Sequence, residues 1–146
     1  MATHKVEKKN LSYFAKDYIS SLKPSKDSAT VVALSGELGV GKTAFTQEVA
    51  SALGIKEKVT SPTFVIEKIY PLTHPLFSRL IHIDAYRLSS GEELEKLGWK
   101  ELLQDPQTLI FIEWPKNVSS VIPVGAKVLT FTVIDEDTRS INIHHV

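Results

Sequence analysis

The stretch "GELGVGKT", Gly36 to Thr43, holds three glycines followed by a lysine and a threonine. Gly36, Gly41, Lys42 and Thr43 satisfy the spacing G-x-x-x-x-G-K-[ST]. A polyphosphate carries several negative charges, and a backbone can wrap it only by turning successive N–H groups inward. Glycines permit the dihedrals and the close approach that this requires. A helix starting near Lys42 would aim the positive end of its dipole at the same phosphates. Lys42 adds a mobile cation, and the Thr43 hydroxyl can ligate magnesium. The spacing therefore predicts a nucleotide phosphate site made of Glu37, Leu38, Gly39, Val40, Gly41, Lys42, Thr43 and Ala44. The loop alone does not distinguish ATP from GTP, or hydrolysis from transfer.

Such a site needs a second magnesium-anchoring carboxylate at the end of a neighbouring strand. Asp84 closes "LIHID" and Glu113 closes "LIFIE". Both follow apolar runs, so in a parallel sheet both emerge at the carboxyl edge, where ligands bind in such folds. The plainer reading makes each a strand-end charge facing water. "TSPTF", comprising Thr60, Ser61, Pro62, Thr63 and Phe64, is a hydroxyl-rich loop where nucleotide-sensing switches sit, although Ser, Pro and Thr also simply form turns. Trp114 could stack on a base, reach a partner or only pack. Tyr86 and Arg87 in "DAYRL" could serve an interface or cover the sheet edge. His144 and His145 are adjacent and would point to opposite faces of a strand, so no zinc site is expected.

These residues must be carried by a definite set of elements. "LSYFAKDYISSL" spaces Leu11, Phe14, Ala15, Tyr18, Ile19 and Leu22 as an amphipathic helix. "TVVAL" is β-branched and apolar without alternation, as in a strand buried on both faces. "KTAFTQEVASALGI" places Phe45, Val49, Ala52 and Leu53 on one helical face and stops at Gly54. "FVIEKIY", "RLIHIDAY" and "TLIFIEW" read as strands, and "SGEELEKLGWKELL" as one or two short helices. "KVLTFTVIDEDTRSINIHH" alternates cleanly around an Asp-rich turn, which predicts an antiparallel hairpin. The expected fold is an α/β P-loop NTPase-like three-layer domain with a mixed, mainly parallel sheet and a C-terminal antiparallel hairpin.

Composition sets the outer bounds. The 146 residues are 42% hydrophobic and 23% charged, with seventeen Lys and Arg against seventeen Asp and Glu, and neither repeat nor linker divides 1–146. A single domain follows. The balanced charge leaves no surplus of cations to grip a phosphate backbone, so no DNA partner is expected and RNA is expected only through a partner. The absence of cysteine removes thiolate metal sites and disulfides. "MATHKVEKKN" is too polar for a signal peptide, and no apolar run approaches the roughly 20 residues of a membrane span. A cytoplasmic chain without a membrane partner is the expectation.

Five ordered blocks, "GELGVGKT", "VTSPTF", "LIHIDAYRL", "ELEKLGW" and "FIEWP", make the chain resemble the TsaE family, the P-loop ATPases of bacterial tRNA threonylcarbamoyladenosine biosynthesis. The likeness runs from about Val31 to Asn117. It implies a partner of TsaD and TsaB, which transfer a threonylcarbamoyl group to adenosine 37 of tRNAs reading ANN codons. ATP hydrolysis would drive or reset that complex. The resemblance implies phosphate contacts at Gly39, Gly41 and Lys42, magnesium contacts at Thr43 and Asp84, and a carboxylate needed for turnover at Glu113. It also implies a nucleotide neighbour at Trp114, a switch at Thr60 to Phe64, and a partner-facing site near Tyr86 and Arg87. The N-terminal helix lacks the Thr and Gly usual in the family, so no adenine contact is carried to it. Ala44 stands where a second hydroxyl often follows the loop threonine.

Three other readings compete. A small-molecule kinase would need a lid with arginines to clamp the transferred phosphoryl, and Arg79, Arg87 and Arg139 sit in no lid-like insertion. A GTPase would need a guanine-reading Asn-Lys-x-Asp segment, which "PKNV" does not supply. A nucleotide-binding scaffold without turnover differs only in geometry.

Overall fold

The computed structural model describes residues 2–37, 39–57, 59 and 66–146. Its strands are β1 (Ala2–Glu7), β2 (Thr30–Ser35), β3 (Glu67–Pro71), β4 (Arg79–Asp84), β5 (Thr108–Glu113), β6 (Lys127–Val133) and β7 (Thr138–His145). The helices are α1 (Leu11–Ser21), α2 (Lys42–Ala52), α3 (Gly91–Glu95) and α4 (Trp99–Leu103), with a 3₁₀ segment at Pro115–Val121.

The strands form one sheet in the order β1-β7-β6-β2-β5-β4-β3. The inner four, β6, β2, β5 and β4, are mutually parallel, while β3 and β7 run against them at the flanks. The sheet is mixed, as expected, and the predicted hairpin is present as β6 and β7. β6 also pairs in parallel with β2, which joins the hairpin to the rest of the sheet.

Side-chain alternation divides the core in two. Val32 and Leu34 of β2 point toward α1 and α2, with Leu80, Leu109 and Phe111. Val31 and Ala33 point the other way, with Ile81, Ile83, Ile110 and Ile112, against Leu94 of α3 and Trp99 of α4. Helices on both faces bury β2, β4 and β5 twice over, which is why their sequences are unbroken apolar runs rather than alternating ones. α2 is seated by Phe45, whose ring stacks on Phe111 at 6.2 Å and meets Phe131 at 5.5 Å and Tyr18 at 6.0 Å.

Two elements depart from the sequence reading. The polar N-terminus is an edge strand, β1, antiparallel to β7. Only Val6 of its six residues is buried, so it carries no apolar pattern to betray it. The strand expected over "FVIEKIY" begins only at Glu67, after Ile66 takes a left-handed φ of 65°. Pro71 at its end is tolerated because β3 is an edge strand. Leu38 and the loop Thr60, Ser61, Pro62, Thr63 and Phe64 lie outside the described residues.

Candidate functional site

The parallel arrangement of β2, β5 and β4 puts their last residues on one edge. The register pairs Leu34 with Glu113 and Glu113 with Asp84, so the end of β2 and both carboxylates lie side by side. The glycine loop leaves β2 at this edge and returns as α2.

Three glycines give the loop its shape, for different reasons. Gly36 has φ +142°, and a Cβ there would lie 2.8 Å from the Phe131 carbonyl oxygen, so it permits close packing on β6. Gly39 and Gly41 have φ +77° and +117°, with nothing within 4 Å of an added Cβ. They answer a backbone demand, and the space beside them is open. Gly41 is the N-cap of α2 and no side chain caps this end, so the first-turn N–H groups face the loop unspent by a cap. Arg139 of β7 braces the loop from the far hairpin: its Nε donates to the Val40 carbonyl at 2.9 Å and its Nη1 to the Asp135 carbonyl at 2.8 Å.

Lys42 is the centre of the site. It is only 4% exposed, and its Nζ donates to the Gly36 carbonyl at 2.6 Å. The same ammonium stands 3.9 Å from the centroid of the Trp114 ring, a cation–π contact. Burial lowers its pKa, while the charges of Glu113 and then Asp84 raise it and Lys116 lowers it. Both predicted carboxylates therefore act on the predicted lysine.

Neither carboxylate is a water-facing strand end, since Asp84 and Glu113 are 4% and 3% exposed. Asp84 Oδ1 accepts the N–H of Tyr86 at 3.0 Å, which turns the chain sharply after β4. Glu113 Oε2 lies 2.7 Å from Nε2 of His82, a residue with no exposed surface. Thr43 follows Lys42 in the first turn of α2, and Ala44 lines a pocket on the other side of the loop.

Trp114 leaves β5 with φ 61°, a left-handed conformation for a bulky residue. This turn places its indole between Lys42 and Tyr86, whose ring centroid is 5.1 Å away. Tyr86 is half-exposed, and Arg87, the next residue, is exposed. Asn117 secures the "DAYRL" turn by donating from Nδ2 to the carbonyls of Ala85 at 2.9 Å and Tyr86 at 3.2 Å.

Two hollows flank the loop. One, of about 410 Å³, is lined by Ser35, Gly36, Glu37, Trp114, Pro115 and Lys116. The other, of about 440 Å³, runs along Gly39, Gly41, Ala44 and Glu48 to Val6, Leu11, Phe131 and Ile141. A phosphate chain on the loop would have room on both sides.

The structure thus brings together Glu37, Gly39, Val40, Gly41, Lys42, Thr43, Asp84, Glu113, Trp114 and Tyr86 at one edge. Sequence reasoning missed His82, Asn117 and Arg139. His82 left a trace: it is a polar residue inside an apolar strand, two places before Asp84 and so on the same face. Asn117 and Arg139 act through backbone carbonyls distant in sequence and left none. Among the described residues no cluster of three metal-ligating side chains occurs, and no helix is long and apolar enough to cross a membrane.

Comparison with known proteins places the arrangement. The family model described as "Threonylcarbamoyl adenosine biosynthesis protein TsaE" matches residues 6–142. A tRNA threonylcarbamoyladenosine biosynthesis protein TsaE from Borreliella burgdorferi is 39% identical over 131 residues, covering 89% of each chain. One from Rickettsia bellii is 36% identical over 131 residues, covering 89% of this chain and 85% of its own. The crystal structure of Bacillus subtilis YdiB superposes with a TM-score of 0.75 at 27% identity, over 99% of this chain and 85% of that one. With the family match spanning nearly the whole chain and the fold shared along its length, the chain belongs to the TsaE family of threonylcarbamoyl adenosine biosynthesis proteins.

Proposed function

We propose that the chain is the ATP-hydrolysing subunit of the tRNA threonylcarbamoyladenosine pathway. In this reading it acts in the cytoplasm with TsaD and TsaB during modification of adenosine 37 in tRNAs that read ANN codons. The observation that carries the reading is the buried Lys42, acted on by the charges of two buried carboxylates, where a helix without a side-chain cap meets a left-handed glycine loop. No purely structural need explains three buried charges at one sheet edge, because each costs desolvation unless paired or used.

The site suits a nucleotide with its metal. The open space at Gly39 and Gly41 and the first-turn N–H groups of α2, which no side chain caps, fit phosphate oxygens, and a buried carboxylate at Asp84 with the hydroxyl of Thr43 in the first turn of α2 are oxygen donors of the kind magnesium prefers. Magnesium bound there supplies charge neutralisation on the phosphates. Lys42 leaves the Gly36 carbonyl for the terminal phosphates, and Trp114 covers the site from the β5 side.

Glu113 orients a water whose oxygen attacks the γ-phosphorus. The bond from that phosphorus to the bridging oxygen breaks, ADP leaves with the electron pair, and the water proton passes through the carboxylate to solvent. Tyr86 and Arg87 form the side that meets the partner.

Two substitutions separate binding from chemistry. Lys42→Ala is expected to abolish ATP binding in a titration calorimeter. Glu113→Ala is expected to bind ATP within a few-fold of the unsubstituted chain and to lose turnover by about 100-fold or more, the range for a positioned general base. Normal hydrolysis by Glu113→Ala would remove that residue from the mechanism.

A further inference from the structure

β4 carries a histidine that the proposed chemistry leaves unused. His82 and Glu113 sit on the same sheet face, offset by two residues in the parallel β4–β5 register, and both are buried. Their side chains meet at 2.7 Å, Nε2 to Oε2, the only hydrogen bond to the Glu113 carboxylate among the described residues. The other ring nitrogen, Nδ1, is buried and has no partner there.

A ring protonated only at Nδ1 would set two acceptors against each other at 2.7 Å. The contact is satisfied with the proton on Nε2. In that form Nε2–H donates to a charged oxygen, a strong and directional bond. It fixes one carboxylate oxygen, so the other is held in a set direction for water.

We propose that His82 is a positioning residue for Glu113, orienting its carboxylate through an Nε2–H bond. This rests on the reading of Glu113 as the carboxylate that directs water, and the test keeps the two apart. Turnover of the full chain with TsaD and TsaB, ATP affinity and melting temperature are measured for His82→Leu, His82→Gln, Glu113→Gln and the double variant His82→Leu with Glu113→Gln.

His82→Leu is expected to lose about 10- to 100-fold in kcat, the usual cost of removing an orienting partner, with ATP affinity within about twofold. His82→Gln, whose amide can donate from the same place, should recover most of the loss. Added to Glu113→Gln, the leucine should cost nothing further, since the interaction is already gone. Nitrogen NMR of the imidazole should show Nε2 protonated and hydrogen-bonded.

If Glu113→Gln is inactive while His82→Leu turns over normally, the positioning role falls and the reading of Glu113 stands. If Glu113→Gln turns over normally, or the unsubstituted chain does not hydrolyse ATP, the reading of Glu113 falls and takes this inference with it. A parallel collapse of melting temperature and ATP binding in both histidine variants would make the residue structural. An imidazole whose Nε2 carries no proton would also overturn the proposal.

Discussion

Lys42, Asp84 and Glu113 are buried charges whose placement makes sense only together. Burial lowers the Lys42 pKa, and the charges of Glu113 and Asp84 oppose that in a nearly dry setting. Glu67 of β3 is the contrasting case. Its Oε2 is buried without a partner, and burial raises its pKa although Arg79 pulls it down. A carboxyl whose pKa is higher folded than unfolded binds its proton more tightly in the native state. Stability is therefore lost as pH climbs from the unfolded value near 4.5 through the raised folded value. Glu67→Gln removes that loss, so its gain in melting temperature should be larger at pH 8 than at pH 5. An equal gain at both pH values would mean that the carboxyl is not strained by burial. At this scale the sequence disclosed what repeats a known spacing, namely the loop and the strand-end carboxylates. It concealed Glu67, whose environment is made by neighbouring strands.

Elements position the site by direction. Because β2, β4 and β5 are parallel, their carboxyl ends converge, and the loop needs only to bridge from Ser35 to the first turn of α2. Helix α2 holds that geometry through Phe45, which has no exposed surface and lies among Phe111, Phe131 and Tyr18. Phe45→Ala is expected to cost about 3–5 kcal/mol of unfolding free energy, read as a lowered urea midpoint. A loss below about 1 kcal/mol would show that α2 is held by something else. "TVVAL" and "TLIFIE" were legible as strands because helices cover both faces, and "KVLTFTV" because alternation matches a sheet with one buried face. β1 was not, because a mostly exposed edge strand takes its stability from pairing with β7, a contact that spans almost the whole chain. The turn at Trp114 was hidden too: its left-handed φ depends on the packing of its indole between Lys42 and Tyr86.

For the whole molecule, the balance of seventeen against seventeen charges gives no general attraction for a nucleic acid, yet the family serves tRNA threonylcarbamoyladenosine biosynthesis. The proposed resolution is that the chain works through partners. Tyr86 is exposed and its ring lies 5.1 Å from that of Trp114, which covers Lys42, so a partner docked on Tyr86 would reach the proposed site. Docking and hydrolysis would then be linked by contact, in the manner of switches whose loops answer to both nucleotide and partner. The most direct measurement is steady-state ATP turnover by the purified chain alone, then with TsaD and TsaB added, with Lys42→Ala as the blank. Turnover that rises at least about tenfold with both partners, and stays at the blank level for Lys42→Ala, is the expected result, equivalent to some 1.4 kcal/mol of barrier. Turnover unchanged by partners that are themselves active would contradict it and direct attention to small-molecule phosphoryl acceptors.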